Sequence, residues 1–150
     1  MSEMSKDEQF VEYLKMIQNV IDRLAKNSFQ IKAWAAALFT ATIVLTFSII
    51  NILIFIVLIA VMCLLWALDS YYLKQEKLFR KLYADKVSKF NDETKKENLI
   101  YFDMDISTFS VDSVPKTMIS ISEFLYYIAY VITLGIFLII YLTMNWQILV

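Results

Sequence analysis

The chain contains no histidine, and it has only one cysteine, one glycine and one proline. The lack of histidine excludes Ser-His and Cys-His catalysis and the usual zinc sites built on imidazole or paired thiolates. A single cysteine, Cys63, excludes an internal disulfide framework, and a single glycine leaves no Gly-rich phosphate loop. We therefore expect no enzymatic activity, no cofactor and no catalytic residues.

Charge is also missing from two long stretches, 33–68 and 124–150. All 14 lysines and arginines lie in two blocks, 6–32 and 74–116, and 59% of the chain is hydrophobic, against about 45–50% in soluble domains. Because basic residues concentrate on the cytosolic side of membrane proteins, this distribution predicts an integral membrane protein with a cytosolic N-terminus and an outer C-terminus.

The apolar stretches predict three transmembrane helices in an all-α protein. As one helix, 33–68 would be about 54 Å long, against a hydrocarbon core of about 30 Å. The turn-favouring residues Ser48 and Asn51 divide it into a hairpin. Ser120 and Glu123 have the spacing of a capping box, so the third span starts at about Glu123 and ends near Met144. The expected segments are 1–32, 33–73, 74–122 and 123–150.

The N-terminal segment has the pattern of an amphipathic helix. Ser5 and Glu8 form a capping box, and the helix is expected to end near Asn27 and Ser28. Such a helix lies along the membrane surface or packs on another cytosolic helix. Its apolar residues at helical spacing are Phe10, Tyr13, Leu14, Ile17, Val20, Ile21 and Leu24.

The second span is expected to continue into the cytosol as a basic helix, because 69–90 contains no glycine or proline. Three interpretations of its basic stripe stay open: a surface attracted to anionic lipid, a solvated surface, and a surface that receives a partner or the phosphates of a nucleotide. The candidate residues for this signal or partner surface are Lys74, Lys77, Arg80, Lys81 and Tyr83.

Between this helix and the third span, apolar and polar residues alternate from Ile100 to Ile106. This alternation predicts a short β segment within 99–114, or an irregular loop, because an isolated strand is marginal. Asp103 and Asp105 form an Asp-x-Asp pair, but no third ligand is evident, so no metal site is expected.

The predicted spans carry no ionisable side chain in their middle, which argues against a proton relay or an ion-coupled transporter. Small residues instead suggest close helix packing, either within the hairpin or between subunits around a polar pore. The single glycine is expected to permit a close crossing. The candidate packing or interface residues are Ala33, Ala37, Ala41, Thr42, Thr46 and Gly135.

Several stretches resemble a group of small bacterial membrane proteins: NSFQIKAW at 27–34, LDSYYL at 68–73 and QEKLFRKLY at 75–83, with weaker matches at 102–105 and 120–126. The layout also looks like the SLATT-type membrane effectors of anti-phage conflict systems. The resemblance implies a homo-oligomer that permeabilises or depolarises the bacterial inner membrane on a cytosolic signal. It implies a soluble defence protein or a nucleotide as partner, and no DNA. The alternative is a non-enzymatic membrane scaffold or sensor subunit that recruits a soluble partner.

Overall fold

A computed structural model of the chain describes residues 5–46, 52–96 and 99–149. Every regular element in these residues is a helix, so the all-α class is confirmed for them. Three helices are long and two are short. They are α1 (Lys6–Thr46), α2 (Ile52–Phe90), α3 (Glu93–Lys96), α4 (Val114–Met118) and α5 (Ile121–Leu149).

Helix α1 begins at the predicted capping box. The Ser5 N–H donates to Glu8 Oε2 at 2.8 Å, and the Glu8 N–H donates to Ser5 Oγ at 3.2 Å. The predicted end near Asn27 and Ser28 is wrong, because α1 continues to Thr46 over about 60 Å. The Ser28 hydroxyl does not stop the helix because it donates to Asp69 of α2.

Helix α2 continues from the apolar stretch through the basic stripe to Phe90, as predicted. Asp92 then starts α3, since its Oδ1 accepts hydrogen bonds from the N–H and the hydroxyl of Thr94, at 3.1 and 2.6 Å. The expected boundaries at 32/33 and 73/74 both fall inside continuous helices. The predicted turn at Ser48 and Asn51 lies outside the described residues.

The polar half of the molecule, residues 5–32 and 69–120, has its own core. The apolar face of α1 packs on α2 and on the loop 99–113, and Phe10 stacks on Phe90 with ring centroids 3.9 Å apart. Because these side chains are buried between helices, α1 uses this face for packing on another helix and not for lying along a membrane. The buried members are Phe10, Tyr13, Ile17, Ile21, Leu82 and Leu99.

The loop 99–113 contains no strand, so of the two predicted alternatives the irregular loop is confirmed and the β segment is not. Its carboxylates satisfy its own backbone: Asp103 Oδ1 accepts from the Asp105 N–H at 3.0 Å, and Asp105 Oδ1 accepts from the Ser107 N–H at 2.8 Å. Side-chain bonds of this kind compete with the ladder of a sheet. Phe102 takes a left-handed conformation (φ 62°), which also interrupts an extended segment.

The apolar half of the molecule is 33–46, 52–68 and 121–149. Within the described residues, two helices are long and apolar enough to span a membrane, Leu53–Phe90 and Glu123–Thr143. Their apolar side chains largely face outward, such as Leu64 (69% exposed) and Ile139 (62% exposed). Apolar surface of this extent is typical of helices that contact lipid. A small internal cluster joins these helices to α1 through Ala35, Met62, Tyr127 and Leu134.

The predicted capping box at the start of α5 does not form. Helix α5 begins at Ile121, two residues before the expected start. Within the described structure, the buried Ser120 hydroxyl has no hydrogen-bond partner, and the Glu123 carboxylate contacts Lys32 of α1 instead. The tertiary ion pair has therefore replaced the local cap.

Candidate functional site

A buried cluster of polar side chains lies where the polar and apolar halves meet. We call it the junction cluster: Ser28 and Lys32 of α1, Asp69 of α2, and Glu123 and Tyr127 of α5. Asp69 is 0% exposed and Glu123 is 3% exposed. Lys32 and Asp69 are the charged residues on either side of 33–68, and Glu123 directly precedes 124–150. The charges that border the apolar stretches are thus gathered at one point.

Asp69 is the centre of this cluster. Its Oδ1 accepts a hydrogen bond from the Ser28 hydroxyl at 2.5 Å, and its Oδ2 accepts from the Lys32 ammonium at 2.5 Å and the Tyr127 hydroxyl at 3.0 Å. The donors belong to α1 and α5, while Asp69 belongs to α2. One carboxylate therefore ties all three long helices together.

Lys32 is shared between two carboxylates. Its ammonium lies 2.5 Å from Asp69 Oδ2 and 2.9 Å from Glu123 Oε1, and it also donates to Ser28 Oγ at 3.2 Å. The Tyr126 hydroxyl adds a tie from α5 to α1 by donating to the Lys32 carbonyl at 2.8 Å. Removing one partner of a buried ion pair typically costs about 3–5 kcal/mol, because the other charge is left uncompensated.

Part of the basic stripe of α2 supports the fold of the polar half. The side chain of Lys86 is only 9% exposed, and its ammonium lies 3.3 Å from Asp103 Oδ2 and 5.7 Å from the centre of the Tyr13 ring. Lys89 pairs with Asp85 at 2.7 Å. Because α2 is one continuous helix, its basic stripe follows directly on its apolar part.

The structure brings together three of the five predicted signal residues. Lys77, Arg80 and Lys81 line a shallow cavity of about 290 Å³ with Val111 and Asp112. Lys74 lies one helical turn closer to the apolar half, and Tyr83 packs against the core of the polar half. The cavity is therefore lined by three basic side chains and by one carboxylate, that of Asp112.

The charges around this cavity favour the binding of an anionic ligand. The Lys116 ammonium, at 2.7 Å, holds the pKa of Asp112 below its ordinary value, and the charges of Lys77 and Lys81 lower this pKa further. Asp112 is thus already paired with Lys116. Arg80 Nε donates to Glu76 at 2.8 Å, and Lys81 Nζ donates to the Ser110 carbonyl at 2.6 Å, so both side chains are oriented by neighbours.

The predicted alanine face of α1 points outward. Ala33, Ala37 and Ala41 are exposed, whereas Ala35 is buried against α2 and α5, so the alanine face is not the one used for packing within the chain. Thr42 is buried, and its hydroxyl donates to the Leu38 carbonyl at 2.8 Å. The side chain of Thr46 lies outside the described part.

Gly135 does not provide the close helix crossing that the sequence suggested. No atom of the described structure lies within 4 Å of the position that its Cβ would take, apart from its own helix and neighbours. Space around α5 is therefore open at this point, and a role for Gly135 between subunits stays a prediction.

The sequence also suggested an Asp-x-Asp pair without a third ligand. Asp103 and Asp105 both serve in turns of the loop 99–113. No group of three or more potential ligands among Cys, Asp and Glu lies together in the described parts of the chain. The two carboxylates are therefore structural in this arrangement.

Sequence reasoning missed the junction cluster, although a signal was present. Lys32, Asp69 and Glu123 each border an apolar stretch. The spacing of Ser120 and Glu123 predicts a helix cap, and the sequence assigns no role to Lys32 or Asp69. Only the packing of α1, α2 and α5 shows that they meet.

No family model, no curated protein and no solved structure matches this chain.

Proposed function

We propose that this protein is the membrane effector of a bacterial anti-phage defence system, which assembles into oligomers and permeabilises the inner membrane on a cytosolic signal. In this proposal α1, α2 and α5 each span the membrane, the N-terminus and the polar half are cytosolic, and the C-terminus lies outside. The observation that carries the proposal is the continuity of α1 and α2 from the packed polar half into the apolar half. A rearrangement of the polar half would move the membrane helices directly.

Assembly is required because three helices are too few to enclose an aqueous path. The apolar stretches contain no charged side chain, so they offer no chemistry for ion-coupled transport. The outward alanine face of α1, Ala33, Ala37 and Ala41, would allow a second copy to approach closely. Function would then come from how copies of the helices associate.

The signal would arrive at the basic cavity of Lys77, Arg80 and Lys81. Its cationic side chains suit an acidic surface of a soluble defence protein or the phosphates of a nucleotide. The cavity lies on α2, so a bound partner would act on a helix that continues into the apolar half.

Induced expression in bacteria loaded with a membrane-potential dye tests this function. We expect depolarisation by the protein alone or together with the product of a neighbouring gene, and loss of depolarisation in the double variant Arg80→Glu/Lys81→Glu with membrane insertion intact. Lys15→Glu/Lys26→Glu is the matched control, because it makes the same charge change at exposed positions on α1. Normal polarisation under all conditions would overturn the effector role.

The exposed cavity also supports a second candidate, a membrane scaffold or sensor that recruits a soluble partner without opening the membrane. The same two double variants distinguish the candidates. A scaffold would lose a co-purifying partner in Arg80→Glu/Lys81→Glu while the membrane potential stays normal throughout. An effector would lose depolarisation in that variant.

A further inference from the structure

The junction cluster contains more acidic than basic groups. Asp69 and Glu123 face a single ammonium, that of Lys32. Glu123 Oε1 contacts Lys32 at 2.9 Å, but its other oxygen, Oε2, is buried and has no hydrogen-bond partner in the described structure. A buried carboxylate oxygen without a donor is costly when the group is ionised.

The two carboxylates are not equivalent. Asp69 accepts hydrogen bonds from Ser28, Lys32 and Tyr127, which together stabilise its anion. Glu123 is stabilised by Lys32 alone, and it lies beside the negative charge of Asp69. With both groups ionised, the cluster holds one uncompensated negative charge in surroundings of low polarity. A proton on Glu123 removes that charge and leaves Lys32 and Asp69 as a neutral pair.

Every titratable group that faces Glu123 can be assigned a role. Lys32 of α1 and Asp69 of α2 form the ion pair, and on α5 the Tyr127 hydroxyl donates to Asp69 while the Tyr126 hydroxyl donates to the Lys32 carbonyl. None of these hydroxyls serves Glu123 Oε2. Lys32 is 25% exposed, so the cluster has a path to water along this side chain.

We propose that Glu123 is a proton-binding site whose proton holds α5 against α1 and α2. The proton sits on the Glu123 carboxyl and leaves to solvent along Lys32 when the pH rises. Its loss leaves two carboxylates competing for one ammonium, which weakens the packing of α5 on the other two helices. Proton binding at Glu123 does not depend on the proposed effector role, so it can be measured on the purified protein.

Thermal unfolding of the purified full-length protein in detergent, between about pH 5 and pH 9, tests the proposal. A group that is protonated only in the folded state stabilises the fold at low pH and loses this effect as the pH rises. We therefore expect the wild-type Tm to fall with rising pH. Glu123→Gln keeps the shape of the protonated side chain but cannot ionise, so its Tm should no longer fall with rising pH. Asp69→Asn is the contrasting variant, and it should lower the Tm at every pH.

Infrared spectroscopy provides the second measurement, which needs no variant. The wild type at neutral pH should show a protonated-carboxyl band that shifts on labelling of glutamate and not of aspartate. A wild type without such a band, a band that shifts only with labelled aspartate, or a Glu123→Gln variant with the wild-type pH dependence would each overturn the proposal. These outcomes involve no permeability assay, so they are separate from failure of the proposed function.

Discussion

Asp103 shows how much of the polar half depends on one residue. Its Oδ1 accepts the Asp105 N–H, its Oδ2 faces the Lys86 ammonium at 3.3 Å, and its carbonyl accepts the Tyr13 hydroxyl. The hydrogen bond from the Asp105 N–H, and to a smaller extent the one from the Lys86 ammonium, hold the pKa of Asp103 below its ordinary value. Burial, with the charges of Asp103 and Asp85, raises the pKa of Tyr13 to about 12, so this hydroxyl remains a donor at neutral pH.

We expect Asp103→Asn to weaken the packing of the loop 99–113 at neutral pH. A carboxyl with a lowered folded-state pKa stabilises the fold above its unfolded value of about 4, and this effect is lost as the pH falls through the folded value. The variant should therefore lose less stability than the wild type on acidification. Near-ultraviolet circular dichroism during denaturant unfolding, at neutral and acidic pH, measures this difference.

Asp22→Asn is the control for this prediction, because Asp22 is exposed and only accepts a hydrogen bond from Gln18 on its own helix. It should keep the acid dependence of the wild type. An equal acid dependence in Asp103→Asn and the wild type would show that Asp103 does not contribute in this way.

At the scale of helices, similar end signals had different outcomes. Ser5 and Glu8 form the predicted cap of α1, because neither side chain has a distant partner. Glu123 pairs with Lys32 of α1 and does not form the predicted capping box with Ser120. The continuation of α2 was predictable, since 69–90 lacks breakers. The stretch 6–46 also lacks glycine and proline, so the same criterion predicts the continuation of α1; Asn27 and Ser28 were misleading, because the partner of the Ser28 hydroxyl, Asp69, is 41 residues away in sequence. Local patterns thus predict helices well and predict poorly where a tertiary contact competes with a cap.

The loop 99–113 illustrates the same limit for strands. Met104 and Ile106 pack against the core of the polar half, but Ile100 (68% exposed) and Phe102 (47% exposed) of the same apolar set face outward, and Tyr101 of the opposite set packs inward. The aspartates between them close turns on their own backbone, however, so the segment never extends. The alternation therefore predicted neither which side chains of this segment pack nor its backbone conformation.

The continuity of α1 can be tested at Lys26, which is exposed and lies in the polar half two residues before Ser28 of the junction cluster. Lys26→Pro removes a helical hydrogen bond and should destabilise α1 by about 3 kcal/mol relative to Lys26→Ala. If α1 transmits the cytosolic signal, the proline variant should also fail to depolarise cells while the alanine variant depolarises normally. Denaturant unfolding and the membrane-potential dye measure the two effects. Full depolarisation by a destabilised Lys26→Pro variant would show that α1 need not be continuous.

The whole molecule consists of two halves that suit different surroundings; α1 and α2 run through both halves, and the buried junction cluster lies where the halves meet. The polar half covers the apolar face of α1 with α2 and the loop 99–113, whereas the apolar half leaves most of its large side chains exposed. Lys32, Asp69 and Glu123, which border the apolar stretches, meet in the junction cluster. These side chains therefore couple α1, α2 and α5 where the two halves meet.

The exposed alanine face of α1 makes the assembly testable. Ala37 lies at the centre of this face, so Ala37→Leu would keep two copies of α1 apart without disturbing the packing inside the chain. Native mass spectrometry in mild detergent should show several subunits for the wild type and a shift toward monomer for this variant. Cys63→Leu adds similar bulk at an exposed position of α2 and should leave the subunit number unchanged. A wild type that is only monomeric would remove the pore mechanism, and equal effects of the two variants would remove the alanine face as the interface.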